Sequence, residues 1–551
     1  MERFLNLKEY LEFLKKEGEL AVISEEVNPY LEIAEIQRRV IAQKGPALLF
    51  TKVAGSPYPL AVNLFGTEKR INIAFGDKCL RIIQQIAALL KDPPLSFKAH
   101  LKKGFSLLPR LISLGSKVKS RGKIVLNSEE PSFSTYPITT SWPEDGGPFI
   151  TLGLVHTEHP LTGAPNLGIY RMQVFNNSET GMHFQLGKGG GYHLFFAKEH
   201  GTVLPTNVII GGPPALFFFS IAPLPENVFE FLLASFLLGK KLKFVHNPFG
   251  SLPLFEEAEF VLSGYTDPFT LRKEGPFGDH YGCYSLVHKY PVFKCKRVFK
   301  AESPIWTATV VGKPPQEDFY LGNYIQELFS PIFPLIMPSV KDIWAFGETG
   351  FHPLAAVQIK ERTYKEALTT AFRVLGEGQL ALTKVLLVVD IKEDLRNFKA
   401  VLRHILERAD FREDLYIISN LALDTLDYTG PSLHKGSKMI LVGCGKKVRK
   451  LPQRVSPFLQ EKYLCKPFVS GCLVVEGKPY SKDKEFCKKI AKDPLLLDWP
   501  LIFVVDNLEK SLKTSMSFMW SVFTRFEPAS DIYASLVSVH RNRLCFKEPI
   551  V

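Results

Sequence analysis

Hydrophobic and polar residues follow a helical spacing at the start of the chain. This 3–4 spacing predicts an amphipathic helix, and its apolar stripe consists of Leu7, Tyr10, Leu11 and Leu14. Asn6 precedes the stripe as an N-cap, Glu9 completes a capping box, and Gly18 ends the helix. The next elements predicted are a helix over Leu31–Ala42 and short strands over Pro46–Phe50 and Tyr58–Leu64. Residues 78–122 combine a helical pattern with prolines and lysines and predict no definite element.

Short β-rich runs separated by turn signals dominate the middle of the chain, from about residue 123 to 310. The predicted strands are Ile150–Val155, Tyr170–Phe175, Val208–Ile210, Leu216–Ile221, Glu259–Leu262 and Val292–Cys295. Turns such as Thr162-Gly163 and Asp267-Pro268 lie between them, and one helix is predicted over Glu226–Leu238. This spacing is typical of a sheet-rich or barrel-like core.

The last part of the chain alternates strand and helix patterns, which favours an α/β domain with a parallel component. The predicted strands are Ala355–Ile359, Lys384–Asp390 and Trp499–Asp506, and the predicted helices are Tyr364–Leu375, Asn397–Arg408 and Ser511–Phe523. An amphipathic segment over Phe319–Pro334 predicts a connecting helix. No internal repeat is visible in the sequence. The sequence therefore predicts a mixed α/β (α+β) protein divided into residues 1–122, 123–318, 319–345 and 346–551.

Composition and charge place the chain among folded enzymes. At 551 residues, with 46% hydrophobic and 23% charged residues, two or three domains are expected. The net charge of +12 is compatible with a nucleic-acid or membrane-surface binder. However, lysines occur only in ones and twos, as in Lys446-Lys447, and no nucleic-acid motif accompanies them. A basic surface also attracts an anionic substrate, so an enzyme is favoured.

Cysteine spacing and apolar runs predict a cytoplasmic protein. None of the eight cysteines forms a C-x-x-C pair, so zinc and redox motifs are not indicated. The longest apolar run, Ala215–Ala222, is far below membrane-spanning length. The amino end has an amphipathic helical pattern and not that of a signal peptide.

Two acids across a glycine-containing turn are the main candidates for catalysis. Glu274 and Asp279 are five positions apart, separated by Gly275-Pro-Phe-Gly278. If both face Arg171, one carboxylate is held ionised while the other retains a proton to higher pH. Such an acid can protonate a carbanion-like centre. A salt-bridged turn whose carboxylates cap backbone amides is the structural alternative.

Oxygen donors and glycines form two further candidates. Asn166 and Glu230 offer hard ligands for Mg²⁺, Mn²⁺ or K⁺, although Glu230 taken alone favours the interpretation that it lies on the exposed stripe of its helix. The glycine-rich segment His183–Gly191 with Lys188 can cradle a phosphate or form a plain loop. No Rossmann or Walker motif stands in a strand–helix context.

Taken together, these segments resemble the UbiD family of decarboxylases nearly from end to end. The matching motifs are Gly45–Phe50, Asn63–Gly66, Trp142–Pro148, Asn166–Arg171, Gly181–His183, Glu274–His280, Gly312–Pro315 and Gly436–Met439. The resemblance implies an N-terminal region over 1–122, a split-barrel-like flavin domain over 123–318, a connecting helix over 319–345 and a C-terminal α/β oligomerisation domain over 346–551. It also implies prenylated FMN supplied by a partner flavin prenyltransferase, a divalent metal (Mn or Mg, with K possible), and a homo-oligomer of two to six chains.

The resemblance also implies roles for individual residues. Asp279 is expected to be the proton donor, with Glu274 and Arg171 completing the acid network, and Asn166 and Glu230 are expected to bind the metal. The residues expected to contact the flavin are Ile169, Tyr170, Arg171, His183, Phe184, Gln185, Lys188, Gly189 and Lys384. The implied reaction is non-oxidative decarboxylation of an aromatic acid, with Asp279 protonating the carbon that carbon dioxide leaves.

Two departures from the family pattern qualify this expectation. Many relatives have a histidine where this chain has Gly187, and His193 is close but shifted in register. The segment Ile440–Lys447 replaces an acidic stretch. A non-catalytic or subunit-type relative is therefore a second hypothesis, and a nucleic-acid binder a third. The tail Phe523–Ile532 looks most like members of quinone pathways, the menaquinone branch first and the ubiquinone branch second.

Overall fold

A computed structural model describes residues 4–76, 79–81, 83, 84, 112–185, 189–222, 224 and 228–551. The chain forms two compact units, Met1–Ile325 and Gln326–Val551. The segment 78–122, for which the sequence predicts no element, lies mostly outside the described residues. The finer predicted division of the chain at residues 122, 318 and 345 stays a prediction. None of the helices in the described ranges is long and apolar enough to cross a membrane.

The first unit combines sheets with short helices. Its strands are β1 Leu20–Val27, β2 Ala47–Val53, β3 Leu60–Val62, β4 Ser116–Lys119, β5 Ser128–Glu129, β6 Phe149–Ile150, β7 Leu154–Glu158, β8 Pro165–Ile169, β9 Met172–Gln173, β10 Glu179–Gly181, β11 Leu204–Ile210, β12 Leu242–Val245, β13 Leu254–Phe255, β14 Phe260–Glu274, β15 His288–Lys300 and β16 Trp306–Thr307. Its helices are α1 Leu7–Lys16, α2 Glu32–Ala42, α3 Glu68–Ala74, α4 Gly189–Glu199, α5 Pro214–Ile221, α6 Glu230–Leu238 and α7 Glu317–Phe329, the last of which runs into the second unit.

An antiparallel sheet organises the first unit. Its strand order is β10-β15-β14-β11-β7-β8, with β5 pairing on β15. Strands β14 and β15 form a long hairpin whose ladder ends at the pair Glu274–His288. A second sheet has the order β1-β2-β3-β16. Side chains from both sheets, among them Phe50, Val208, Phe260 and Trp306, share one hydrophobic core. The predicted sheet-rich centre is thus confirmed.

Local sequence signals at the amino end are confirmed in detail. Asn6 caps α1, where its Oδ1 accepts a hydrogen bond from the Glu9 backbone N–H at 2.9 Å. The predicted apolar stripe is buried. The strand predicted over Leu216–Ile221 is wrong, because these residues form helix α5 with Pro214 in its first turn. Since α5 is buried on nearly every side, its sequence carries no period that separates helix from strand.

The second unit is built on parallel strands with antiparallel edges. Its strands are β17 Val340–Ala345, β18 Leu354–Ile359, β19 Val385–Val389, β20 Leu415–Ala422, β21 Lys435–Gly443, β22 Cys465–Val469, β23 Cys472–Glu476, β24 Leu501–Val505, β25 Ala534–His540 and β26 Arg543–Ile550. Its helices are α8 Phe333–Ile336, α9 Glu366–Leu375, α10 Phe398–Arg408, α11 Phe411–Asp414, α12 Pro457–Lys462, α13 Phe486–Ala491, α14 Leu508–Leu512, α15 Ser515–Phe523 and α16 Pro528–Asp531. The single helix predicted over Ser511–Phe523 is two helices, because Thr514 caps a new one.

Two sheets in the second unit repeat one topology. Their orders are β17-β18-β19-β21-β20 and β22-β23-β24-β26-β25. In both, the successive pairings are antiparallel, parallel, parallel and antiparallel. One core cluster contains residues of both sheets, including Leu387 and Leu441 from the first and Val474 and Val505 from the second. The fold therefore contains a repeat that the sequence does not show.

Candidate active site

The ends of three strands bring the predicted acid network together. Arg171 lies in the short connection between β8 and β9, and Glu274 is the last residue of β14. Asp279 lies in the loop that joins β14 to β15. Glu274 is fully buried and Asp279 is 6% exposed. The network is thus held where the β14–β15 ladder ends and the connecting loop begins.

Arg171 binds both acids. Its Nε donates to Glu274 Oε1 at 3.0 Å, and Nη1 donates to Asp279 Oδ2. Nη2 donates to the Ser285 hydroxyl at 3.2 Å. The Phe277 ring lies 4.8 Å from the guanidinium carbon. Two buried carboxylates therefore share one guanidinium, an arrangement in which charge repulsion between the acids is balanced by a single cation.

The protonation of Asp279 is set by opposing effects. Burial acts to raise the pKa of its carboxyl, but the hydrogen bond from the His280 side chain and the charge of Arg171 together outweigh burial and lower the pKa. Asp279 Oδ1 accepts from the His280 backbone N–H at 2.7 Å and contacts the ring Nδ1 at 2.8 Å. Asp279 is therefore a carboxylate at neutral pH in the free protein. The sequence reasoning expected one acid to keep its proton, and Asp279 is not that acid in this state.

The turn that carries Asp279 is fixed from behind by the segment around Trp142. Asp145 Oδ1 accepts from the Gly278 backbone N–H at 2.8 Å, and Trp142 donates its Nε1–H to the Val311 carbonyl at 2.8 Å. A Cβ on Gly278 would lie 2.1 Å from Trp142 Cδ1, so only glycine fits against this indole. The motif Trp142–Pro148 thus positions the acid turn.

One carboxylate oxygen of Glu274 has a second partner, and the other has none among the described residues. Glu274 Oε1 also contacts His183 Nδ1 at 2.9 Å, and the His183 ring packs 4.1 Å from the ring of Tyr290. Glu274 Oε2 is buried without a hydrogen-bond partner among the described residues. A buried carboxylate oxygen of this kind is costly unless a ligand group or a proton completes it.

Asn166 and Glu230 lie together beside the glycine segment. Glu230 Oε2 accepts from the Leu167 backbone N–H at 3.1 Å, and burial raises the pKa of Glu230 to about 7. Asn166 Nδ2 is buried without a partner among the described residues. A Cβ on Gly189 would lie 1.7 Å from Asn166 Oδ1. Glu230 is partly buried on its helix, and its role as a metal ligand stays a prediction.

These oxygens fit a cation shared with a phosphate. Asn166 supplies an amide oxygen, and Glu230 supplies a carboxylate whose pKa burial raises to about 7. Among the described residues, no group of three or more His, Cys, Asp or Glu side chains could hold a metal ion. A metal bound by Asn166 and Glu230 would therefore complete its shell with phosphate and water oxygens, as Mg²⁺ commonly does.

The other predicted contact residues have varied positions. Ile169 ends β8 and Phe184 packs edge-on to Tyr170, with ring centroids 4.9 Å apart. Gln185 is partly buried next to them. Gly187 and Lys188 lie outside the described residues. His193 lies on α4, where its Nδ1 contacts the Thr157 hydroxyl at 2.9 Å.

Lys384 belongs to the second unit and has partners there. Its Nζ is 2.8 Å from Asp427 Oδ2, and only 1% of its side chain is exposed. Burial lowers the pKa of Lys384, against the opposing charge of Asp427. Lys384 is thus a buried, paired cation.

Sequence reasoning missed three residues that build the network: Ser285, His280 and Asp145. Ser285 receives hydrogen bonds from Arg171 and, at 3.1 Å, from the Phe277 backbone N–H. His280 ends one of the matching motifs, but the motif implies no role for it. Asp145 is visible only as part of the Trp142 motif. Their contacts join residues far apart in sequence, which no local pattern indicates.

Comparison with known protein families identifies the class of this protein as a carboxy-lyase. The family models for 3-octaprenyl-4-hydroxybenzoate carboxy-lyase match the N-terminal domain over residues 11–90, the Rift-related domain over 116–314 and the C-terminal domain over 319–443. The chain belongs to the UbiD family. The family, the mixed α/β fold and the carboxy-lyase class predicted from the sequence are confirmed.

Similar proteins extend over the whole chain. A Chlamydia trachomatis protein is 47% identical over 550 residues, covering 99% of this chain and 94% of its own. A Chlamydia pneumoniae protein, named as a component of a 4-hydroxybenzoate decarboxylase, is 45% identical, covering 97% of this chain and 91% of its own.

Solved structures share the fold at lower identity. Vanillic acid decarboxylase of Sedimentibacter hydroxybenzoicus has a TM-score of 0.70 at 24% identity, covering 90% of this chain and 100% of its own. The UbiD-class enzyme HmfF of Pelotomaculum thermopropionicum, solved with FMN, has a TM-score of 0.66 at 22% identity, covering 83% and 98%.

Proposed function

We propose that this protein is a non-oxidative decarboxylase of an aromatic carboxylic acid in quinone biosynthesis, with prenylated FMN as its cofactor. The observation that carries the proposal is the buried network in which Arg171 binds both Glu274 and Asp279. A salt-bridged surface turn would not bury two acids beside one guanidinium and leave Glu274 Oε2 without a partner among the described residues.

Arg171 binds the substrate carboxylate and thereby changes Asp279. A guanidinium binds carboxylates in a bidentate manner, so an arriving substrate competes with Asp279 for Arg171. Once the pair loosens, burial is no longer opposed by Arg171 and the pKa of Asp279 rises. Asp279 then takes a proton from solvent. The acid is poised by substrate binding and not in the free protein.

The reaction breaks one carbon–carbon bond and forms one carbon–hydrogen bond. The bond between the ring carbon and the carboxylate breaks and carbon dioxide leaves. The electron pair of that bond stays on the ring carbon. Asp279 gives its proton to that carbon and returns to the carboxylate form. One solvent proton is consumed in each turnover, and no external oxidant or reductant is needed. Glu274 holds Arg171 in place, because its Oε1 accepts from Arg171 Nε at 3.0 Å. The same oxygen contacts His183 Nδ1 at 2.9 Å, which fixes Glu274 in turn.

The chain's residues suit the cofactor. Bound prenylated FMN supplies an acceptor for the electron pair that decarboxylation leaves. Asn166 and Glu230 would hold a divalent metal, Mn²⁺ or Mg²⁺, with K⁺ as a monovalent alternative. Ile169, Tyr170 and Phe184 offer apolar surface for the ring system. The cofactor would come from a partner flavin prenyltransferase, and the working form would be a homo-oligomer.

The substrate proposal rests on likeness. The Chlamydia pneumoniae relative carries the name of a 4-hydroxybenzoate decarboxylase component, and the family models carry that of a prenylated hydroxybenzoate carboxy-lyase. Both names support a hydroxylated aromatic acid. A hydroxylated naphthoate of the menaquinone branch and a polyprenylated hydroxybenzoate of the ubiquinone branch are the two candidates that we put first.

The test is a decarboxylation assay on protein made together with a flavin prenyltransferase. Released carbon dioxide and ring deuteration in D₂O are measured for hydroxybenzoate and hydroxynaphthoate substrates. Asp279→Asn should reduce the rate by about 10²-fold or more, in line with loss of a proton donor. Glu130→Gln, which changes an exposed acid in the same unit, is the control and should keep full activity.

Two results would contradict the proposal. Full activity of Asp279→Asn would remove Asp279 as donor. Protein that carries flavin yet neither releases carbon dioxide nor exchanges deuterium with any candidate product would favour the non-catalytic, subunit-type relative.

A further inference from the structure

A cavity of about 610 Å³ lies within the second unit, formed by the end of α10, the segment after β21 and the turn between β22 and β23. Its volume is that of a site for a small molecule. The lining residues are Ile391, Glu393, Ala400, Arg403, His404, Glu407, Arg408, Lys447, Arg449, Lys450, Leu451, Gln453 and Ser470. We call it the basic cavity.

The basic cavity carries excess positive charge. Five of its lining residues are Arg or Lys and two are Glu. One oxygen of Glu407 is shared between Arg408 Nη1 at 3.0 Å and Lys447 Nζ at 2.9 Å. Glu393 is a loose partner of Arg403 at 3.7 Å. Arg449 Nη2 also binds Glu548, which lies outside the lining, and His404 Nε2 contacts Asp390 Oδ1 at 2.7 Å. The five cations therefore outnumber the three glutamates that bind them.

Two arginines are fixed in the wall by backbone carbonyls, whereas two other cations have exposed side chains. Arg408 Nε donates to the Gly445 carbonyl at 3.0 Å, and Arg449 Nη1 donates to the Leu406 carbonyl at 2.6 Å. In contrast, the side chains of Lys447 and Arg403 are 60% and 47% exposed.

The basic cavity is separate from the decarboxylase site in the chain. All its lining residues belong to the second unit, whereas Arg171, Glu274 and Asp279 belong to the first. The residues from Lys447 onward lie beyond residue 443, where the match to the C-terminal family domain ends. Folding places Lys447 and the cations that follow it beside the arginines of α10, a concentration of charge that the sequence pattern did not reveal.

We propose that the basic cavity binds a small organic molecule that carries two or more negative charges of the phosphate type. Cations that outnumber their glutamate partners favour a multivalent anion over a single carboxylate, and arginine forks match phosphate oxygens. Ile391, Ala400 and Leu451 offer an apolar side for the rest of the molecule. In this fully described unit no aromatic residue lines the cavity, so the base-stacking platform typical of single-stranded nucleic-acid sites is missing.

The test is calorimetric titration of the full chain, purified after co-expression with a flavin prenyltransferase, with sodium pyrophosphate as the probe. The test variant is Lys447→Glu with Lys450→Glu. The matched control is Lys482→Glu with Lys484→Glu, two exposed lysines of the same unit that do not line the cavity. Both variants change the net charge equally, so only the location differs.

The wild-type protein and the control should bind pyrophosphate with affinities within about twofold, and the test variant should bind at least about tenfold more weakly, a difference of about 1.4 kcal/mol. Equal weakening in both variants would reduce the effect to general surface charge and overturn the site. Absence of saturable binding to the wild type would also overturn it. So would tighter binding of a single-stranded DNA probe that depends on the same lysines.

Discussion

Replacing Arg171 by methionine tests whether the acid network is a buried ion cluster. The variant leaves Glu274 and Asp279 buried without their cation. Asp279 keeps its contact with His280 Nδ1 at 2.8 Å but loses the charge of Arg171, so burial then favours the protonated form of its carboxyl. Keeping one carboxyl protonated at pH 7 costs about 1.4 kcal/mol for each pH unit above its usual pKa of about 3.9, which is roughly 4 kcal/mol. Removing one partner of a buried pair costs a similar amount, about 3–5 kcal/mol.

The sign of the pH dependence follows from the pKa of Asp279. In the wild type that pKa is lowered, so its stabilising effect is fully present above the unfolded value and is lost as pH falls through the folded one. The wild type is therefore steady between pH 7 and pH 5 as far as this group is concerned. In Arg171→Met the cost of protonation shrinks by about 1.4 kcal/mol per pH unit as pH falls. The difference in free energy of unfolding between the wild type and Arg171→Met should therefore shrink toward zero near pH 4.

The assay is thermal unfolding of both proteins between pH 5 and pH 7. At roughly 2 °C per kcal/mol for a unit of this size, Arg171→Met should melt about 6–10 °C lower at pH 7. Arg272→Met is the control, because Arg272 forms a partly exposed pair with Glu179 at 3.2 Å and should cost at most about 1 kcal/mol. A gap that does not change with pH, or an equal loss in the control, would refute the reasoning.

Three further predictions concern other parts of the first unit. Mn²⁺ should bind the flavin-free protein more tightly at pH 8 than at pH 6, because Glu230, with a pKa of about 7, must lose its proton to coordinate a cation; calorimetry in two buffers would detect that proton, and equal affinities would argue against Glu230. Gly278→Ala should lower activity without changing the circular dichroism, because the added Cβ would lie 2.1 Å from Trp142. Gly376→Ala, whose Cβ would lie 3.4 Å from the nearest atom, should keep full activity. Asn6→Ala should cost about 1 kcal/mol in denaturant unfolding, and an unchanged midpoint would show that this cap contributes nothing.

Local patterns predicted what depends on neighbouring residues. The cap at Asn6 follows from spacing that one helical turn fixes. The convergence of Arg171 with Glu274 and Asp279 was open from residue chemistry alone, and the order of several motifs favoured it. The role of Asn166 and Glu230 was likewise open from residue chemistry, and it stays a prediction because Glu230 is only partly buried.

Features set by distant contacts were not predictable. Helix α5 has an apolar sequence without a period, so its strand prediction was wrong. Ser285 and Trp142 reach the acid turn only through the fold. The lowered pKa of Asp279 depends on His280 and Arg171 together, and a motif gives no such balance.

The repeated sheets of the second unit have a consequence for where this chain can be divided. The C-terminal family domain ends at residue 443, yet Val385 and Phe398 before it share a core with Phe468 and Phe518 after it, and the last two rings stack at 3.8 Å. A chain cut at residue 443 would expose that apolar face to water, and it would aggregate or fail to fold. The two halves should therefore unfold together as one cooperative unit, and an evolutionary boundary here is not a folding boundary.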